Sequence, residues 1–249
     1  MKKVVYCFAL LLLPTMMLSQ NIEDGSEGNI LYSKETTGAV NVNTFGFGGS
    51  FKQCKTIDAF KSRFYEIGFT TYRDSKEVTF PAMYHGYSSF KFGKLNSIAI
   101  LRGSLGMNYN ISRKPVWGGV DINMVYSAGV SMAIAKPIYM YVVSVESIGI
   151  ENYYTESLER YNPDIHTDVN ILGKAPFYVG LLESIPYFGI NCKLGLNFDY
   201  AEYDNHVRSI ELGGIIDYMP IGVPIMAYND NKNLFFSFYL SLYFGRRYN

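Results

Sequence analysis

Residues 233–245 read N-L-F-F-S-F-Y-L-S-L-Y-F-G. In a period-two strand, Leu234, Phe236, Phe238, Leu240, Leu242 and Phe244 share one face. Ser237, Tyr239, Ser241, Tyr243 and Gly245 share the other, where Phe235 is the one bulky apolar residue. An unbroken row of large apolar side chains on one face needs a broad apolar surface to lie against. A second sheet supplies it in a soluble sandwich. Lipid supplies it around a barrel, and the small and polar face then lines the lumen. Arg246 and Arg247 follow at once, as at a membrane boundary. The stretch predicts the closing strand of a transmembrane barrel.

The start of the chain agrees with export. Lys2 and Lys3, the apolar run 4–18 and Ser19 or Gln20 have the plan of a secretory signal peptide over 1–19. The run is too short for a spanning helix, which takes about 20 apolar residues. Residues 20–38 are polar and are expected to form a periplasmic leader, leaving 39–249 as one barrel domain. Net charge is zero, so nothing electrostatic points to nucleic acid. After processing only Cys54 and Cys192 remain, enough for a single bridge at most and not for a disulfide scaffold. Tyrosine, with 22 copies, favours both strands and membrane interfaces.

Alternation predicts an all-β, antiparallel, up-and-down transmembrane barrel of about eight strands. The expected strands are 39–53, 63–73, 97–111, 117–134, 139–147, 188–200, 207–218 and 233–245. Val40 and Val42 disagree in phase with Phe45, Phe47 and Phe51, which predicts a bulge near Asn43. An even strand count puts both termini in the periplasm, makes 149–186 extracellular, and leaves short periplasmic turns at Lys136-Pro137 and Asp204-Asn205. Segment 75–94 fits poorly as a periplasmic turn; a hairpin within it would raise the count to ten.

On the polar phase fall Glu66, Arg102, Asp121, Lys193, Asp199, Glu211 and Asp217, with Glu146 near an end. A cation on the lipid face costs about 2–4 kcal/mol at the midplane, so this confinement supports the barrel. Eight strands leave just enough interior for side chains, so the expected lumen is a packed polar network rather than a pore. Catalysis finds little footing. His85, His166 and His206 lie in connections, and Ser88 or Ser89 beside His85 is the only local Ser/His pairing. Asp164, His166 and Asp168 read as a solvated acidic loop lacking a further committed metal ligand. No catalytic, cofactor or metal residues are therefore expected. The segment 149–186 instead carries Tyr153, Tyr154, Tyr161, His166, Phe177 and Tyr178 among acids, a mixture typical of a binding surface or of a lid over the mouth.

Several stretches resemble a known family. They are F-G-K-L-N at 92–96, L-R-G-S-L-G at 101–106, R-K-P-V-W-G-G-V at 113–120, A-K-P-I-Y at 135–139, R-Y-N-P-D-I-H-T at 160–167, K-A-P-F at 174–177 and the final F-Y-L-S-L-Y-F-G-R-R-Y-N. Together they resemble the small outer-membrane β-barrel proteins of Bacteroidota-type bacteria. The resemblance implies a fold and a location in the cell envelope, and brings no catalytic residues. Small barrels of such bacteria also serve as accessory subunits of secretion and barrel-assembly machines, so it implies an envelope protein as partner beside outer-membrane lipid. The leading expectation is a non-enzymatic structural, assembly or partner-binding barrel. The alternatives are a lipid-modifying enzyme with a rim site and a soluble, lipocalin-like binder of one hydrophobic ligand.

Overall fold

The computed structural model describes residues 32–248, except 83–85, 113–118, 149–150, 168 and 202–204, and except the side chains of 144–148 and 151–154. The expected signal peptide and most of the expected leader lie outside the described residues. In chain order the strands are β1 (Lys34–Asn43), β2 (Gly46–Asp58), β3 (Lys61–Tyr72), β4 (Thr79–Phe80), β5 (Phe90–Lys91), β6 (Asn96–Ser112) and β7 (Asp121–Pro137). They continue with β8 (Tyr139–Ile148), β9 (Glu151–Arg160), β10 (Ile171–Lys174), β11 (Ile185–Asp199), β12 (His206–Val223) and β13 (Lys232–Tyr248).

Eight of these close into an antiparallel ring in the order β1-β13-β12-β11-β7-β6-β3-β2. Each ring strand pairs with the ring strands before and after it in the chain. Closure comes from β1 against β13, in unbroken register from Lys34↔Tyr248 to Asn43↔Tyr239. The two longest connections fall at one end. Residues 59–60, 113–120 and 200–205 join strands at the end that holds Lys34 and Tyr248; 44–45, 73–95, 138–184 and 224–231 join them at the opposite end. Closure removes the open edges that a sheet of this size would otherwise present.

The strand count matches the expectation, but two of its strands differ. The predicted strand 39–53 is two strands, β1 and β2, with Thr44 and Phe45 as a two-residue turn. The phase change read as a bulge is a chain reversal, which also moves the barrel's start back to Lys34, inside the expected leader. The predicted strand 139–147 is not in the ring. After Ile138 the chain leaves the barrel, and β8 pairs with β9 and β10 in a separate sheet of order β10-β8-β9. One extra strand and one missing strand offset each other. The exchange also reverses the path of every strand between them, so 75–94 lies at the same end as 149–186 and its awkwardness as a short-end turn disappears. Among the described residues its one hairpin is the two-residue pair β4–β5, outside the ring.

Along each ring strand, burial alternates. Val40, Phe47, Ile67, Leu105, Val130, Phe188, Leu194, Leu212, Phe238 and Leu240 are exposed on the outside. On the inner phase, the end bearing the long connections is filled by Tyr72, Ile98, Ile100, Ala133, Ala135, Met219, Val223, Ile225 and Phe235. The ring of Tyr72 meets that of Phe235 edge-on at 4.9 Å. The interior is therefore packed but not polar throughout. Phe235, the residue out of pattern in the closing strand, is part of this apolar layer. Toward the other end Cys54, Phe64 and Val125 form a smaller cluster. Cys54 faces inward and Cys192 outward, both as free thiols, so no bridge joins them.

Candidate functional site: the lumen network and the loop platform

Between the two apolar clusters lies an ionic layer. Strands β2, β3, β11 and β12 aim Lys52, Glu66, Lys193 and Glu211 inward, and all four are buried. Glu211 is the shared anion, 2.7 Å from the Nζ of Lys52 and 2.7 Å from that of Lys193. Lys193 also donates to Glu66 at 2.8 Å and 3.1 Å. Two cations and two anions make the group neutral. Tyrosines of the closing strand complete it: Tyr239 donates to Glu211 at 3.0 Å and Tyr243 to Glu66 at 3.1 Å. The Lys52 ammonium also sits 4.1 Å from the centroid of Tyr243. Every charge thus has an opposite partner and a further hydrogen bond or aromatic face, the condition under which buried ions are tolerable. Gly195 makes room for this, since a Cβ there would collide with the Tyr239 hydroxyl.

Next toward the apolar layer, Arg102 clasps Asp217 through two nitrogens, at 2.9 Å and 2.7 Å, and reaches Thr70 at 2.9 Å. Such two-pronged pairing fixes orientation as well as charge. A cavity lined by Asn41, Ser50, Thr70, Ser104 and Asn191 leaves about 20 Å³ open to the centre of a water molecule, room for roughly one water and not for an organic ligand. At the terminal end, Arg247 pairs with Glu35 at 3.0 Å and with Asp199.

Of the residues expected in the lumen, Glu66, Lys193 and Glu211 meet in the ionic layer, and Arg102 meets Asp217. Asp199 stands apart, at the rim with Arg247. Asp121 sits at the same rim, opposite Asp199 in register. Sequence reading missed Lys52, Glu35, Arg247, Tyr239 and Tyr243 as network members. Lys52 follows Ser50 on the inner phase, and the tyrosines alternate with the exposed Leu240 and Leu242; the phase alone is signal enough.

The long-connection end carries a platform built on the sheet β10-β8-β9. Phe90, Ile138, Met140, Val142, Tyr161 and Ile171 form its core, with Phe92 and Leu95 packed alongside. The platform is tied to the barrel's connections: Leu95 donates to Ile225 at 2.9 Å, Ile138 to Leu95 at 3.0 Å and Ala227 to Gly93 at 2.7 Å. Within segment 73–95, Glu77 pairs with both Lys91 and Lys94. Burial works to raise the Glu77 carboxyl, but the two lysines outweigh it and hold it below its usual range.

Two residues expected on an exposed binding loop are interior instead. Tyr161 is in the platform core and its hydroxyl accepts from the Gly93 amide at 3.1 Å. His166 is buried; Asn162 N–H donates to its Nδ1 at 3.1 Å, which leaves Nε2 to donate to Glu159 at 3.1 Å. Both hold the platform together. Phe177 and Tyr178 are exposed, as expected of surface aromatics. The side chains of Tyr153, Tyr154 and Glu146, together with His85 and Asp168, lie outside the described residues.

No family model matches the chain, and no curated protein matches it. Among solved structures, Ail, the attachment invasion locus protein of Yersinia pestis, is similar over 88% of this chain and 100% of its own, at 9% identity and a TM-score of 0.40. Neisserial surface protein A is similar over 86% and 96%, at 12% identity and a TM-score of 0.40. A major outer membrane protein from Thermus thermophilus is similar over 85% and 98%, at 11% identity and a TM-score of 0.41. The closed ring stands on its own register, and these likenesses add no residue-level correspondence.

Proposed function

We propose that this chain is an outer-membrane barrel with both termini in the periplasm, acting without chemistry as a structural or partner-binding component of the cell envelope. One observation carries the membrane reading. The outer face of the ring is apolar across its middle, whereas the charges at mid-height are inside and paired. A soluble ligand-binding barrel needs the reverse. The exposed cations on the outer face of the ring strands, Lys34, Lys55, Lys61, Arg63, Arg208 and Arg246, gather near the terminal end, with exposed Tyr65, Tyr109, Tyr200 and Tyr248 in the same region. Charge and tyrosine together suit a lipid–water boundary. The two longest connections, 73–95 and 138–184, lie at the end away from the termini, as on the extracellular side of such barrels, which turns the platform outward.

Partner binding is read from the platform. Its core is closed, yet among the described residues β9 pairs on one side only, with β8, while the opposite edge of the sheet is bridged by Ser88↔Lys174. An unpaired strand edge is a ready template for another chain. Exposed Glu156, Leu158 and Arg160 stand along β9. Two experiments test the proposal. The full-length protein should fractionate with the outer membrane and migrate differently before and after boiling; recovery as a soluble monomer without detergent contradicts it. Crosslinking in cells should capture an envelope protein that Leu158→Asp no longer captures. Equal capture by both proteins, or none, overturns the platform's role while leaving the barrel intact.

A further inference from the structure

Residues 175–184 run between β10 and β11 at the barrel's long-connection end. Their polar groups are spent on tethering. Ala175 donates to the Tyr139 carbonyl at 3.0 Å, and the Tyr139 hydroxyl lies 2.7 Å and 2.8 Å from the two Glu183 oxygens. Gly180, in the left-handed region with φ 78°, starts the short 3-10 helix Leu181–Glu183, and Ser184 caps that turn through the Leu181 carbonyl at 2.7 Å. A side chain at Gly180 would be strained and would press on the Tyr139 ring. The segment is thus a fixed turn, and it turns its apolar side chains outward. Phe177, Tyr178 and Leu181 are exposed, and Leu182 is fully so at 103%. They lead into the exposed apolar residues on the outer phase of β11, Phe188 and Ile190.

Beneath this turn is a cation with no carboxylate partner among the described residues. Lys136 ends the outer phase of β7, where its neighbours along the strand are Ile134 and Met132, and Ser97 is its register partner on β6. It is only 7% exposed. Its Nζ reaches the carbonyl of the adjacent Pro137 at 3.4 Å, and the Phe177 ring covers it with its centroid 5.1 Å away. Lys174, exposed at the end of β10, acts electrostatically on Lys136 and on Lys94 alike. Buried ammonium groups are ordinarily paired with anions, as Lys52 and Lys193 are inside this barrel. A weak neutral contact and an aromatic face leave room for one more, anionic, partner.

Resting on the membrane reading, we infer that Lys136, Lys174 and the turn 176–184 form a binding site for the phosphate of a lipid headgroup, with Phe177, Tyr178, Leu181 and Leu182 entering the leaflet beside the acyl chains. The chemistry that recognises the ligand is a phosphate anion carried on an apolar tail. Lipid rather than free phosphate is the source because the turn's apolar side is continuous with the lipid-facing band.

Native mass spectrometry of the full-length barrel in a neutral detergent tests the site, with dimyristoyl phosphatidylglycerol, dimyristoyl phosphatidylcholine or inorganic phosphate added. The folded barrel should retain phosphatidylglycerol in preference to phosphatidylcholine. Lys136→Gln with Lys174→Gln should weaken that retention about tenfold, the scale of losing charge-assisted hydrogen bonds to one anion. Lys136→Arg should keep it, and Leu182→Gln should weaken it while leaving the barrel folded. Because Lys174 is exposed, Lys174→Gln alone reports on the site even if the buried position tolerates no change. Equal retention by wild type and the Lys174→Gln protein overturns the inference, as does retention of inorganic phosphate as firmly as the lipid. Both results require a heat-modifiable folded barrel, so they leave the membrane reading standing.

Discussion

Glu211 and Phe235 both point into the lumen from neighbouring strands and both are buried, yet one is ringed by ammonium groups and hydroxyls and the other by rings and methyls. The ionic layer holds six polar side chains of β2, β3, β11, β12 and β13 in one connected set. The apolar layer closes the long-connection end of the same barrel with contacts that have no direction. The difference teaches how each layer responds to damage. An ionic layer fails when one partner is removed, because the other charge is stranded, and recovers when both go. An apolar layer fails by the volume lost and has no complementary change to restore it except refilling.

The largest effects should therefore come from breaking each layer once. Glu211→Leu leaves Lys52 without a carboxylate and should cost about 3–5 kcal/mol, read by urea unfolding in vesicles. Adding Lys52→Met should recover most of that loss, because the Lys193–Glu66 pair remains. Phe235→Ala should cost a similar amount, about 3–5 kcal/mol, with no second substitution among its neighbours of the same volume recovering it. If Glu211→Leu is not rescued by Lys52→Met, the contrast between the layers fails.

Outside against inside sharpens the same comparison. Leu194→Arg or Leu240→Arg should cost about 2–4 kcal/mol near the midplane, and Asn197→Arg, facing the lumen between Ser209 and Glu211, should be tolerated better in a folding assay. The reverse order would mean that the faces are inverted. Within the ionic layer, Tyr239→Phe removes one hydrogen bond to Glu211 and should cost about 1.5–3 kcal/mol, less than losing the carboxylate itself.

The smallest effect belongs to the platform. The folded state lowers the Glu77 carboxyl below its ordinary value of 4.5 despite burial, through Lys91 and Lys94. A depressed carboxyl adds stability above its unfolded value and loses it as pH falls through the folded value. Amide protection in 76–94, taken relative to the intrinsic exchange rate at each pH, should accordingly fall as pH drops below the mid-fours, while Glu77→Gln should be less protected at neutral pH and lose that dependence.

Much of the ring was legible where one phase is strictly apolar. The closing strand, 188–200 and 207–218 could be read residue by residue, because a strand between lipid and a filled lumen has no freedom to mix its faces. The turn at Thr44-Phe45 was not legible. A two-residue reversal usually announces itself by Asn-Gly or a Gly pair, and here only the phase slip between Val42 and Phe47 marks it, which a bulge produces equally well. Strand 139–147 misled for the opposite reason. Its alternation is real, but it serves a platform core through Met140 and Val142, and nothing in a local pattern says which sheet a strand joins. The lumen network was half visible: single charges could be assigned to the inner phase, but their partners depend on register between strands distant in sequence, such as Lys52 with Glu211. Tyr161 and His166 looked like surface groups because they lie in an acidic stretch; Tyr161 is buried against 92–95, which sequence alone does not bring near, and His166 sits beside its ring.

The central claim is that the outer phase meets lipid and the inner phase does not. Cys192 tests it from within the native sequence, being exposed on the outer face between Ile190 and Leu194, while Cys54 is buried inside. With Cys7→Ser and Cys54→Ser, a bimane label on Cys192 of the barrel folded into vesicles should be quenched by bromine on the lipid chains and be insensitive to aqueous iodide. Quenching by iodide with no effect of brominated lipid would contradict the account.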